Sequence, residues 1–352
     1  MAPQILGSQT AGSTALRCEI AVECPPDWGE YLRRCDGGFF HAPTACELGT
    51  PPGESLFIKI YQGDEVVGIA TGLRRACRLT EVPRHLYFPT YPALAEGVNP
   101  RAALDALIDA LYKADAAELV LESFDAHWSG DATLQPTVSR ARDEYIVPLD
   151  PMETRMWEKL ATGHRRQVKK GDRSGWRIEC PQGDEARSLL MLVQEVAARR
   201  AAARGSGFAV SVPKLARPES VSSAWGATVF AAWRDSTPLA AALVGWANGR
   251  AFYVMGGSTP AGYECGSSVW LHWRIACRLA ATGLNTYNLG GASAAAASPS
   301  DPAHGLYRFK MGFGARVVAC RSLYWTLSTS HARVHQLGRW LGTTPDPAPQ
   351  EL

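Results

Sequence analysis

Apolar and polar residues alternate over positions 56–61, the turn Gln62-Gly63-Asp64-Glu65 follows, and 66–73 returns as a second strand-like run, which together form a hairpin signal. A further strand is expected over 86–90. Asn99-Pro100 then sets a capping residue and a proline at a helix start, and Leu104, Leu107, Ile108 and Leu111 recur at helical spacing. A strand over 118–122 closes this set. The same order returns later. Residues 227–233 run to the turn Asp235-Ser236-Thr237-Pro238, 239–247 come back, Asn248-Gly249 is a type I′ hairpin signal, and 251–255 form a third strand. Gly266-Ser267-Ser268 opens a helix with Val269, Trp273, Ala276 and Ala280 on one face, ended by Gly283, and a strand over 286–289 follows.

Hairpin, strand, helix, strand thus occurs twice at similar lengths, a duplication in organisation without residue identity. The unit resembles the N-acyltransferase fold of the GNAT type, in which the fourth strand splays and the next helix end faces the cofactor. The expected class is α/β (α+β), with two tandem GNAT-like domains, each a mixed sheet flanked by helices. The first spans 1–150 and is completed by the C-terminal segment 318–345; the second, 151–317, carries the chemistry. Between the repeats lie a strand ending at 145–149, a helix with Trp157 and Leu160, a basic helix, and a helix over 184–204 with Leu189, Leu192, Val193 and Val196 as its apolar positions. The first dozen residues and the Pro-rich tail 343–352 read as disordered.

At 352 residues the chain suffices for two cores. With 46% hydrophobic and 20% charged residues it has the composition of a globular protein. Its longest apolar runs, such as 239–244, fall short of a bilayer span, and positions 1–16 lack the basic-then-apolar order of a secretion signal. The expectation is a cytoplasmic protein without stable membrane insertion. Nine cysteines, an odd number, suit reduced thiols. Cys24, Cys35 and Cys46 are evenly spaced but lack the close pairs of a zinc site, so no metal is expected. With a net charge of only +2, any nucleic-acid contact must come from a local patch.

Such a patch exists. Arg165, Lys169 and Arg173 lie four apart, with Arg166 and Lys170 alongside, which makes a basic stripe on a helix. Four further strings carry a family resemblance. They are Tyr287-Asn288-Leu289-Gly290-Gly291; Gly305-Leu306-Tyr307-Arg308-Phe309-Lys310-Met311-Gly312-Phe313-Gly314; Arg204-Gly205-Ser206-Gly207-Phe208; and Tyr253-Val254-Met255-Gly256-Gly257-Ser258. With the basic segment from His164 to Lys170, these resemble the Fem family, peptidyltransferases that move an amino acid from aminoacyl-tRNA onto an amine. The Arg-Phe-Lys-x-Gly-Phe-Gly string is the most specific, and the likeness is strong in the second half only. Two positions depart from the family: Met255 stands for the second tyrosine of the strand-end motif, and Phe208 for a tyrosine of some members. Both lose a hydroxyl that meets the acceptor in the family.

The resemblance implies an aminoacyltransferase with aminoacyl-tRNA as co-substrate and no other cofactor. The acceptor would be a peptidoglycan precursor or a small peptide or nucleoside-peptide of secondary metabolism, such as antibiotic biosynthesis. An aminoacyl ester is already activated, so positioning, stabilisation of the carbonyl oxygen and removal of one amine proton suffice. Lys310 suits the second task and Phe309 would shape the pocket; a solvated lysine at a strand end is the plainer alternative. Arg204, Phe208, Tyr253 and Met255 are the candidate acceptor contacts. Arg165, Arg166, Lys169 and Lys170 are the candidate tRNA contacts. The Ala- and Ser-rich loop 292–304 is a candidate lid carrying His304 as a mobile base. The competing readings are a CoA-dependent GNAT-type N-acyltransferase, with the loop Gly262-Tyr263-Glu264-Cys265-Gly266 cradling a pyrophosphate, and a binding protein that keeps the fold without its chemistry.

Overall fold

Alternation at the chain's start forms β1 (Leu16–Ala21), followed by α1 (Trp28–Arg34), a 3-10 turn (Phe39–His41) and α2 (Pro43–Glu47). The structure, a computed structural model, describes residues 15–48, 54–75, 85–114, 116–126, 128, 132–203, 210–213 and 224–327. The expected hairpin is β2 (Glu54–Gln62) and β3 (Glu65–Arg75), turned at Gly63 with φ +61°. Then come β4 (His85–Phe88), β5 (Ala93–Leu94) and α3 (Pro100–Lys113). The Asn99 side chain caps α3 by accepting the Ala102 N–H at 3.1 Å, and Leu104, Leu107, Ile108 and Leu111 are buried. β6 (Glu118–Leu121) and β7 (Val138–Pro148) complete this stretch.

The connecting helices are α4 (Glu153–Lys159) and α5 (Thr162–Arg173); β8 (Arg177–Glu179) and α6 (Gly183–Ala202) follow. On α6 the buried stripe runs through Leu189, Leu190, Val193 and Val196, and Leu192 is exposed rather than facing the core. Leu190, two positions earlier on the same turn, is buried instead. The second repeat is β9 (Trp225–Arg234), β10 (Thr237–Ala247), β11 (Arg250–Ser258), α7 (Pro260–Cys265), α8 (Ser267–Ala281) and β12 (Thr286–Ser293). A 3-10 turn (Ala294–Ala297), α9 (His304–Met311) and β13 (Arg316–Thr326) end the described chain.

All strands join one mixed sheet in the order β1-β2-β3-β4-β6-β13-β7-β12-β11-β10-β9-β8, with β5 paired to β3. Each repeat places one parallel pair, β4 with β6 and β11 with β12, joined through α3 or α8. The centre is an exchange. β7, from the first half, pairs with β12, and β13, from the chain's end, pairs with β6. The termini segments 1–14 and 328–352 lie outside the described residues, and with them the expectations of disorder.

The halves share cores. Phe39 and Phe124 pack with Leu190, Leu243, Phe252 and Met255, and Trp28 and Leu32 pack with Ala247. The Asn248-Gly249 turn has φ +47° and +73°, as its residues suggest. The Asn248 amide also donates to the Leu32 and Gly37 carbonyls at 2.7 and 2.8 Å, which ties the second repeat's turn to the end of α1. Among the described residues no helix is long and apolar enough to cross a membrane, and no group of three or more His, Cys, Asp or Glu could hold a metal ion.

Candidate active site

β11 and β12 pair only from Arg250 to Phe252 and from Thr286 to Asn288. Beyond those residues β11 continues with β10 and β12 with β7, so the parallel strands part. At the parting, β12 carries one extra residue against β7, since Asn288 faces Ile146 but Gly291 faces Glu144. Gly290 supplies the left-handed φ of +74° that such a bulge requires. Asn288 fixes it, accepting the Gly290 N–H on Oδ1 at 2.9 Å.

Lys310, on the last turn of α9, reaches this bulge and donates from Nζ to the Gly291 carbonyl at 2.7 Å. A Cβ on Gly290 would stand 3.8 Å from Nζ, 3.8 Å from the Tyr253 carbonyl and 3.9 Å from the Phe252 ring. The lysine head therefore sits where the strands separate. Lys310 is 2% exposed and helical, not the solvated strand-end residue of the plainer expectation. Burial pushes its pKa down to about 7; the Glu144 carboxylate opposes the shift and the Arg142 guanidinium adds to it.

Behind Lys310 lies a buried polar cluster. Asn288 donates from Nδ2 to Glu144 at 2.8 Å and to Asp125 at 3.3 Å, the Asp125 N–H donates to Glu144 at 3.0 Å, and Arg142 pairs with Glu144. Arg250 continues it, reaching Asp125 at 3.3 Å and Asp36 at 2.7 Å. Burial raises the pKa of Glu144 against the pull of Arg142. On the other side, rings fill the space. His272 Nδ1 bonds the Tyr287 hydroxyl at 2.8 Å, and the His272 ring lies 4.8 Å from Tyr253 and 5.6 Å from Phe309. Burial, with the charges of Lys310 and His164, pushes His272 down to about 3, so its imidazole is neutral near pH 7. His164 meets the Phe309 carbonyl at 2.9 Å.

The structure thus brings Lys310, Phe309 and Tyr253 together. Met255 is separated from them: Val254, an extra residue of β11 opposite 243–244 of β10, leaves Tyr253 packed against α8's cluster and Met255 in the core on the α6 side. Without it, residues two apart would share a face. Arg204 and Phe208 lie outside the described residues. Arg165 is half-buried on α5, while Arg166, Lys169 and Lys170 are exposed; Lys170 also donates to the Cys265 carbonyl at 3.3 Å. Two loop expectations are corrected. The stretch ahead of α8 is the helix α7, capped by Thr259, because Pro260 starts a helix well and Gly266, at φ +74°, permits the break between α7 and α8. The segment 292–304 is not an open lid: β12 runs to Ser293, Ala296 is fully buried in a 3-10 turn, and His304 bonds the Ala296 carbonyl at 3.1 Å.

Sequence reading missed Glu144, Arg142, Asp125 and His272 as site neighbours. Asn288 stood within a quoted motif but was given no role, and nothing local marks a glutamate in β7 as its partner. A groove of about 570 Å³ lies elsewhere, on the α5–α8 flank beside Trp176, Trp270, Arg274 and Arg278, and Lys310 is not among its walls.

Two half-sheets exchanging their last strands, each with a parallel pair bridged by a helix, define a mixed α/β fold of tandem GNAT-like units. Residues 158–311 match the acetyltransferase (GNAT) domain family. Among solved structures the chain is similar to FemX, with 13% identity, a TM-score of 0.55, and 80% of this chain and 90% of that one covered. It is also similar to L-PGS from Bacillus licheniformis (11% identity, TM-score 0.47, 79% and 87% covered) and to a tandem GNAT protein from the clavulanic acid biosynthesis pathway (12%, 0.45, 88% and 98%). No curated protein sequence matches the chain.

Proposed function

We propose that the chain is an aminoacyltransferase, moving an amino acid from aminoacyl-tRNA to an amine of a peptide-like or cell-wall-precursor acceptor. The observation that carries this reading is Lys310, buried at the splay of β11 and β12 and hydrogen-bonded through one proton to Gly291. A charged Nζ has two further N–H groups for a carbonyl oxygen. In a low-dielectric site such donors stabilise a developing oxyanion strongly. The amine nitrogen forms the new C–N bond, the ester C–O bond breaks, and the proton lost by the amine ends on the leaving ribose hydroxyl. Phe309, between His164 and His272, lines the approach. The exposed cations of α5 supply a salt-sensitive contact for the tRNA backbone.

The match to the acetyltransferase domain favours acyl-CoA as the competing donor. Against it stand α7, which occupies the stretch ahead of α8, and the ring cluster packed between β11, α8 and α9. Incubation with a mixed pool of charged tRNAs and amine acceptors should show one ester lost faster than spontaneous hydrolysis. Lys310→Ala should slow it about a hundredfold, and changing Arg165, Arg166, Lys169 and Lys170 to Gln should weaken tRNA binding and flatten its salt dependence. No ester loss with any charged tRNA, together with thermal stabilisation by acetyl-CoA, overturns the reading in favour of the CoA enzyme.

A further inference from the structure

In the polar cluster behind Lys310, Glu144 and Asn288 are fully buried and bonded to each other. The cluster's connectivity converges on the lysine. Asn288 uses both ends of its amide. Oδ1 takes the Gly290 N–H inside the bulge, and Nδ2 serves two carboxylates, Glu144 at 2.8 Å and Asp125 at 3.3 Å. The next residue along the bulge, Gly291, offers its carbonyl to Lys310 Nζ. The carboxylate of Glu144 is the negative charge that acts on that lysine, with Arg142 opposing it.

We infer that Asn288 is a positioning residue, whose amide locks the β12 bulge against the Glu144–Asp125 pair and so fixes both the hydrogen-bond partner and the charge state of Lys310. A hydrogen bond to the charged form favours it, and a nearby carboxylate does the same. Losing the bulge contact removes the first; adding a carboxylate strengthens the second. The groups facing Lys310 are Glu144, Arg142 and Tyr145 from β7 and His272 from α8, and His272 in turn meets Tyr287 of β12 and the charge of His164 on α5. His272 is neutral over the range concerned, and burial pushes Tyr145 up to about 12 and raises Tyr287 well above its ordinary value, so these groups hold their charge while Lys310 titrates. Burial also depresses His164 below its ordinary value, against the pull of the Phe309 carbonyl.

Asn288 gains significance from the aminoacyl-transfer reading, but its test needs no turnover. The chain has seven lysines, so ¹⁵N-lysine labelling with detection of the side-chain nitrogens gives a readable set, and Lys310 is assigned by the signal lost in Lys310→Arg. In the free full-length protein the Lys310 midpoint is followed from pH 5 to 10. Asn288→Ala, which frees the bulge, should lower the midpoint by about one unit. Asn288→Asp keeps the acceptor for Gly290 and adds a carboxylate, and should raise it by about one unit. Opposite shifts in two folded variants support the inference, and a residue of purely structural importance would change melting temperature without moving either midpoint. If Asn288→Ala does not fold, the direction in Asn288→Asp decides. Unchanged midpoints, or failure of both variants to fold, overturn the inference. A shifted lysine in a protein that moves no amino acid from any tRNA would uphold it while sinking the proposed function.

Discussion

A primary amine with 2% of its surface exposed pays for its position in pH dependence. The folded chain holds Lys310 near 7 and the unfolded chain holds a free lysine at 10.5, so between those values the unfolded state binds more protons. Stability contributed at this site therefore rises with pH across that window and is lowest below 7. Denaturant midpoints of the native protein and Lys310→Met, measured from pH 7 to 10, should diverge in the native protein's favour by roughly 1 kcal/mol per pH unit. Differences flat in pH would mean that Lys310 titrates normally. Transfer that requires the ammonium should also decline above pH 7, on a limb that Lys310→Met lacks. His272 carries linkage of the same sign in a lower window. Held near 3 when folded, it stabilises fully above about 6.5, and that share is lost as acid approaches 3.

At the scale of elements, close approach explains where the helices sit. Gly171 of α5 lies against the rings of Trp270 and Trp176, and Trp270 donates to Asp172 at 2.8 Å. A Cβ there would strike both indoles, and the helix carrying the basic stripe would be pushed off α8. Gly171→Ala should lower stability by about 1–3 kcal/mol, read as a shifted urea midpoint at unchanged slope. An unshifted midpoint would mean that α5 is not held by this contact. The basic stripe was legible at this scale, since charges four apart share a helix face wherever the helix packs. So was the α3 cap, a local hydrogen bond. The bulges in β11 and β12 were not. Each adds one residue against its partner strand, in β12 against the distant β7, and they decide that Tyr253 and Met255 face apart and that Gly291 meets Lys310.

The whole molecule is one sheet whose halves are joined by an exchange of strands and by shared cores. Phe39, from the first half, lies directly on Gly245 of β10 in the second. Gly245→Ala should displace that ring, lower stability by about 1–3 kcal/mol and open the junction to limited proteolysis; cleavage at the native rate would show the halves to be held by the sheet alone. What the sequence determined by itself was local. Alternation, turn dipeptides and helical spacing set both repeats, because each is specified by residues a few positions apart. The lysine, its neighbouring phenylalanine and the cationic helix were likewise visible as motifs. Tertiary structure alone decided that β7 crosses to pair with β12, that a glutamate of β7, an asparagine of β12 and an aspartate just past β6 share one buried cluster, and that the lysine is depressed toward neutrality. Those outcomes depend on desolvation and on pairing between segments far apart in the chain, such as Asn288 with Glu144, 144 positions away, and no short window of a chain encodes either.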